Sequence, residues 1–191
     1  GAVLDLDLAE IRRARIGGRE EIPTFEDLLD AFPTARYNVD IKADGAIAPL
    51  AALATSDALA GRLLVGSFSV RRTRLFRRLT GARVPTAAHL LEILAFRFAP
   101  SARVAGWLTR GRCAALQIPV RRGPLRVLTR GLIRRAHANG VAVHVWTVDD
   151  PTEMAALLDL GVDGIFTDRT DVLKDVLVER GQWWSARGGN R

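Results

Sequence analysis

The sequence predicts an α/β protein built on a parallel sheet, and three observations carry that prediction. Six short apolar or β-branched runs alternate along the chain with six longer segments that bear helix signals. Several of those helices have both ends marked, as in Asp150-Pro151-Thr152-Glu153, where a capping residue precedes a proline at the first helical position and Leu160-Gly161 supplies the stop. No Gly-x-Gly-x-x-Gly follows any strand, which removes support for a dinucleotide-binding sheet. The sheet is then either open and doubly wound or closed as a (β/α)8 barrel. A barrel needs eight strands and about 250 residues, and this chain supplies six strands in 191 residues.

In chain order, Asp5 to Glu10 and a polar loop with Gly17-Gly18 come first. A helix then opens at Pro23-Thr24-Phe25-Glu26-Asp27-Leu28-Leu29 behind a Thr24 cap and stops near Phe32-Pro33. The strands are expected at Tyr37 to Lys42, Leu63 to Phe68, Ala82 to Thr86, Ala114 to Ile118, Val141 to Val148 and Gly164 to Phe166. Helices are expected at Ala46 to Thr55, Val70 to Leu79, Ala87 to Phe98, Thr129 to Asn139, Pro151 to Leu160 and Asp171 to Arg180. Within the fourth of these, Leu132, Ile133 and Ala136 form an apolar stripe against Arg134, Arg135 and His137. The tail from Gln182 to Arg191, with Trp183-Trp184, has no periodicity.

Composition narrows the class. The net charge is +7, but the arginines are scattered in pairs along expected helices, with no dense basic run and no interleaved aromatics, so no nucleic-acid partner is expected. The charge does favour anionic substrates by steering. One cysteine, Cys113, rules out an internal disulfide framework and points to a reducing, cytoplasmic location. No stretch reaches the roughly 20 apolar residues of a membrane span, and Gly1 to Glu10 lacks the positive flank of a signal peptide. A chain that begins with Gly in place of Met is expected to be a fragment.

The strand Tyr37-Asn38-Val39-Asp40-Ile41-Lys42 stands out. Alternation puts Asn38, Asp40 and Lys42 on one face, whereas a parallel strand buried on both sides should read as an unbroken apolar run. Lysine is also rare here: of 28 basic residues only Lys42 and Lys174 are lysines. The pair Asp40 and Lys42 is either a buried structural ion pair or part of a site.

In a barrel, chemistry collects at the carboxyl ends of the strands. Those ends carry Asp40 and Lys42, then Ser67 and Phe68, Gln117, Trp146, and Thr167 with Asp168. This is an outline of a site for an anionic hydroxyl compound. His89 and His137, on expected helices, read as surface or structural, and His144 reads as a hydrogen-bonded interior histidine. Asp168 reads as a cap on the segment that begins at Arg169, and Cys113 as structural despite Arg110 and Arg112 nearby. Gln117 is either a polar layer residue or a substrate contact.

Five segments taken in order resemble the glycerophosphodiester phosphodiesterase family. They are Ile22-Pro23-Thr24-Phe25-Glu26-Asp27-Leu28-Leu29, Asn38-Val39-Asp40-Ile41-Lys42, Val65-Gly66-Ser67-Phe68, His144-Val145-Trp146-Thr147-Val148-Asp149-Asp150 and Asp163-Gly164-Ile165-Phe166-Thr167-Asp168-Arg169. The resemblance implies a (β/α)8 TIM barrel, N-terminally truncated with about six of eight strands present, over residues 1–181, followed by a tail over 182–191. It implies hydrolysis of glycerophosphodiesters to glycerol 3-phosphate and an alcohol, with Mg2+ or Ca2+ as cofactor. Asp40 is then a metal ligand, Lys42 the catalytic phosphate contact, and Trp146 and Phe68 walls of the substrate pocket.

The family's His-Arg-Gly opening, its Glu-x-Asp metal pair and its second histidine have no match in this chain. Asp5 and Asp7 have the form of that pair but sit in a segment resembling a later one. The chain alone is therefore expected to be inactive. The alternatives are a degenerate barrel with a binding or interaction role, and a different phosphate-binding barrel.

Overall fold

The chain forms two compact units, one up to Tyr37 and one from Asn38 onward. The computed structural model describes residues 3–56, 59 and 61–183, so most of the expected tail, including Trp184, lies outside the described residues.

The first unit is organised by two capping boxes. At α1 (Leu8–Arg13), Asp7 Oδ1 accepts from Glu10 N at 2.7 Å and Glu10 returns the bond to Asp7 N, which gives Asp7 a structural use. At α2 (Phe25–Ala31), Thr24 and Asp27 make the same reciprocal pair. Between them, β1 (Arg15–Ile16) and β2 (Glu20–Glu21) form a short antiparallel hairpin around Gly17 and Gly18, where only a polar loop was expected. The Tyr37 hydroxyl closes α2 by donating to the carbonyls of Leu28 and Phe32, and its ring meets Phe25 edge to face at 5.4 Å.

In the second unit the six expected strand segments lie side by side in sequence order. β3 (Tyr37–Asp40) pairs with β4 (Leu63–Gly66), and Ile41 N continues that contact to Gly66 O at 2.8 Å. Parallel bridges join Val65 to Thr86 and Ala87 to Ala115. Then β5 (Ala115–Pro119) pairs parallel with β8 (Ala142–Trp146), and β8 with β9 (Gly164–Ile165). Between the strands run α3 (Ile47–Ala54), α4 (Val70–Leu79), α5 (Leu90–Phe98), α7 (Arg130–His137), α8 (Pro151–Leu160) and, last, α9 (Thr170–Glu179). This is a TIM-barrel-like α/β arrangement, and among the described residues its sheets do not close into a ring.

Four expectations are corrected. The segment Ala82 to Thr86 is not a strand: Ala82 has φ 57° and Pro85 has no N–H to donate, so only an isolated bridge forms at Thr86. The helix expected from Ala87 starts at Leu90, because Ala88 is still held to Ala115 O at 2.8 Å and His89 acts as the N-cap. Two elements went unread. These are α6 (Ala102–Thr109), begun by the Ser101 cap, and the hairpin β6 (Arg121–Arg122) with β7 (Leu125–Arg126). Finally, β3 is not buried on both faces. Among the described residues it pairs with β4 alone, and Asn38 and Asp40 are exposed.

The core lies between sheet and helices, with Leu116, Val143 and Val145 against Leu132, Ile133 and Ala136 of α7 and Met154 and Leu157 of α8. Apart from that core, α4 and α5 are tied by a buried ion pair. Arg77 grips Glu92 through two bonds, Nη1 to Oε1 at 2.7 Å and Nη2 to Oε2 at 3.1 Å, while its Nε donates to Thr86 Oγ1 at 2.8 Å. Glu92 also accepts from His89 N, so one carboxylate serves a guanidinium and a helix start.

Candidate active site

The strand ends converge on a cleft of about 240 Å3, below the roughly 300–1,000 Å3 usual for drug-sized ligands, a size that suits a small compound. Asp40 and Lys42 line it from β3 and the turn after it, Ser67 and Phe68 follow β4, Gln117 comes from β5 and Trp146 from β8. Asn38 and Phe166, not singled out as site residues from the sequence, complete the wall. The six strand-end residues named first are therefore brought together.

Each has a physical anchor. Lys42 Nζ donates to Asp40 Oδ2 at 2.5 Å, but the pair is not the buried ion pair weighed from the sequence, since 81% of the Lys42 side chain and 34% of Asp40 are open to solvent. The turn beyond Lys42 is held by Asp44, whose carboxylate accepts from Arg72 Nε at 2.7 Å and from Arg71. The Arg72 bond holds the Asp44 carboxyl below its usual range. Asp44 left no sequence signal beyond its charge. The Ser67 hydroxyl is engaged in the scaffold, donating to Ile41 O at 3.0 Å.

Gln117 crosses the cleft floor and donates from Nε2 to Asn38 Oδ1 at 2.8 Å. Its path depends on Gly66, where an added Cβ would stand 3.1 Å from Gln117 Oε1. The Phe68 and Trp146 rings meet edge to face at 5.9 Å and form an aromatic wall.

Thr167 and Asp168 are not among the lining residues. The Thr167 hydroxyl and the Asp168 N–H both donate to Asp149 Oδ1, at 2.7 and 2.9 Å, and the N-cap of α9 is Arg169, so the expected Asp168 cap does not form. His144 lies below Trp146 on β8 and meets Phe166 edge to face at 6.1 Å. Its backbone is held in the β8 ladder, but among the described residues its ring makes no hydrogen bond, contrary to expectation. Burial lowers its pKa, an effect Asp163 partly opposes, and Gly164 leaves the room it needs, since a Cβ there would fall 2.9 Å from its Cδ2.

His89 and His137 are structural. His89 caps α5, and His137 Nε2 lies 2.8 Å from Asp163 Oδ2. Cys113 is free and buried, and burial pushes its thiol up to about 12, against the activation that nearby arginines could have produced.

Among the described residues no three His, Cys, Asp or Glu side chains cluster as a metal site requires. Asp40, with one oxygen given to Lys42, does not fit a divalent cation by itself. What the cleft does offer is an ammonium for an anion, amide groups for hydroxyls and an aromatic face for carbon, all at strand ends of a barrel-like sheet. At the strand ends of an α/β fold, that set of groups suits a small polar anion in its chemistry.

The chain belongs to the glycerophosphoryl diester phosphodiesterase family, a family of phosphoric diester hydrolases, whose model matches residues 1–172. It is 44% identical over 185 residues to a probable glycerophosphodiester phosphodiesterase 2 of Mycobacterium tuberculosis, covering 96% of this chain and 70% of that relative. Solved structures share the fold. A putative glycerophosphodiester phosphodiesterase from Galdieria sulphuraria aligns with TM-score 0.73 and 22% identity, covering 93% of this chain and 72% of that one. A phosphodiesterase from Oleispira antarctica, in complex with the product sn-glycerol-3-phosphate, aligns with TM-score 0.70 and 19% identity over 93% of this chain and 73% of that one. Among the described residues no helix is long and apolar enough to cross a membrane.

Proposed function

We propose that this protein is a glycerophosphodiester phosphodiesterase whose substrate phosphate sits at Lys42 in the strand-end cleft, with glycerol 3-phosphate and an alcohol as products. The observation that carries this reading is the convergence of Lys42, Gln117, Phe68 and Trp146, from four strands, on one cleft. The Lys42 ammonium, paired with Asp40 on a side chain that is mostly exposed, has donors left for a phosphate oxygen, where it offsets the charge that builds up during displacement. Gln117 and Asn38 present amide groups to glycerol hydroxyls, and the Trp146 and Phe68 rings cover the carbon skeleton and exclude water.

Mg2+ or Ca2+ belongs to this reading with Asp40 as one oxygen donor, joined by carboxylates from outside the described residues. The proton-transfer groups come from the same source, so the strand set described here is part of a larger (β/α)8 barrel and the chain alone turns over no substrate. A cytoplasmic location goes with it, in keeping with the free, buried Cys113.

The test compares the 191-residue chain with the longest natural reading frame that contains it, on glycerophosphocholine with Mg2+ or Ca2+. Release of glycerol 3-phosphate by the longer protein, and its loss in Lys42→Ala, supports the proposal; unchanged turnover in that variant sinks it. The sparse carboxylates near Asp40 favour a second reading, a barrel retained for binding, in which the longer protein binds glycerol 3-phosphate but releases none.

A further inference from the structure

A hollow of about 700 Å3 opens among α4, α5 and the end of α6 and shares no lining residue with the strand-end cleft. Its inner wall is the Arg77–Glu92 pair together with His89, each no more than 8% exposed. Among the described residues Glu92 is the only acid of that lining, and its charge is already engaged. Arg77 takes both carboxylate oxygens, and the His89 N–H donates to Oε2 at 3.0 Å. His89 Nδ1 accepts from Glu92 N at 3.4 Å, which places the proton of the neutral ring on Nε2. Burial, the leading cause, keeps the pKa of that ring below 6.5, with Glu92 opposing and Arg77 and Arg74 adding to the fall. Nε2 stands 3.8 Å from Glu92 Oε2, beyond hydrogen-bond reach. Among the described residues the fully enclosed side-chain polar atom that lacks a partner is Arg97 Nε, so His89 Nε2 keeps an opening onto the hollow as a spare donor.

Three more arginines, Arg74, Arg110 and Arg112, form the rim and are exposed. The left-handed pair Arg110-Gly111, with φ 54° and 60°, ends α6, and the residues on both sides of Gly111 line the hollow. Other surface arginines have carboxylate partners, as Arg15 has Glu21, Arg71 has Asp44 and Arg169 has Asp171. Among the described residues the three rim guanidiniums have no hydrogen-bond or ion-pair partner. Four guanidiniums against one carboxylate leave three positive charges on one concave surface, an arrangement that repels itself and attracts an anion.

Charge and shape together select the occupant. One phosphate group carries at most about two charges at neutral pH, so three open guanidiniums and the His89 donor call for two or more, and planar guanidiniums suit phosphate oxygens. The volume falls within the roughly 300–1,000 Å3 of small-molecule sites. Leu91 and Leu108, 53% and 52% exposed, add apolar wall for carbon. We infer that this hollow binds a small organic compound with two or more phosphate groups, its phosphates on Arg74, Arg110 and Arg112 and its carbon skeleton against Leu91 and Leu108. The assignment is independent of what the strand-end cleft does.

Calorimetric titration of the longest natural reading frame that contains this chain tests this in metal-free buffer, with inorganic phosphate, pyrophosphate, ADP and adenosine as probes. Pyrophosphate is expected to bind at least about tenfold tighter than phosphate, ADP tighter again, and adenosine not at all. Arg74→Gln and Arg112→Gln, both at exposed positions, are each expected to weaken pyrophosphate and ADP about tenfold. Leu108→Asn is expected to weaken ADP about fivefold and leave pyrophosphate as it was. Lys42→Ala should change none of these affinities, which separates the hollow from the cleft. Equal affinity for phosphate and pyrophosphate, or binding that Lys42→Ala removes and both arginine variants spare, overturns the assignment. ADP binding no tighter than pyrophosphate and unmoved by Leu108→Asn overturns the organic ligand. A short single-stranded oligonucleotide that binds tighter than ADP through the same two arginines overturns it in favour of a nucleic acid.

Discussion

Lys42 Nζ lies 2.5 Å from Asp40 Oδ2, yet the lysine remains four-fifths exposed, so the pair is held at the surface and its ammonium is open to an anion. An exposed pair contributes about 0–1 kcal/mol to stability, whereas a hydrogen bond from a charged donor to a bound phosphate contributes about 1.5–3 kcal/mol. Lys42→Ala is therefore expected to weaken glycerol 3-phosphate binding roughly 10- to 100-fold while shifting unfolding by about 0.5 kcal/mol or less. Calorimetric titration beside a urea melt separates the two. Asp40→Asn has the opposite sign in metal-free buffer, where it frees the ammonium and tightens anion binding.

Gly66→Ala tests the cleft floor. The new methyl would stand 3.1 Å from Gln117 Oε1 and push the amide off Asn38. Overpacking of this kind costs about 1–3 kcal/mol, and the displaced amide should also lower ligand affinity. Gln117→Ala, which removes the obstacle, is expected to restore stability in the double variant but not affinity. Independent, additive effects on stability in a double-mutant cycle would mean that the two residues do not meet.

The alternation of strands and helices, the caps at Thr24 and Asp150, and the convergence of Asp40, Lys42, Phe68 and Trp146 were legible because each rests on local spacing or on strand-end position. What was not legible depended on contacts far apart in sequence. The single Val65–Thr86 bridge formed where a strand was expected, and Asp40 stayed exposed on β3, which among the described residues pairs with β4 alone. Asp168 does not cap α9, whose N-cap is Arg169, and Asp149, on a different turn, accepts from both the Asp168 N–H and the Thr167 hydroxyl.

Removing one partner of the buried Arg77–Glu92 pair leaves a stranded charge. Glu92→Ala should destabilise the second unit by about 3–5 kcal/mol, because it orphans the guanidinium and also takes away the His89 N–H acceptor. Substituting both residues, as Arg77→Met with Glu92→Leu, is expected to recover much of that loss in a urea melt. Neither residue lines the cleft, so the ligand affinity of the folded double variant should match the parent.

Stability should also fall on mild acidification, and the histidines set the window. Burial is the leading cause that lowers the pKa of both His144 and His89 below the ordinary 6.5. Between 6.5 and the lowered values the unfolded chain binds more protons than the folded one, so stability rises with pH there. Their contribution is fully present above pH 6.5 and is lost as the pH drops from there through the lowered values, at up to about 1.4 kcal/mol per pH unit for each proton. Asp27, Asp44, Asp149 and Asp171 have carboxyls lowered from 3.8, so their losses fall mainly below the pH values of the urea series. Urea midpoints at pH 7.5, 6.5, 5.5 and 5.0 should therefore decline steadily in the parent. His144→Gln, which cannot take up the proton, should make that decline shallower, and an unchanged slope would place the titrating group elsewhere.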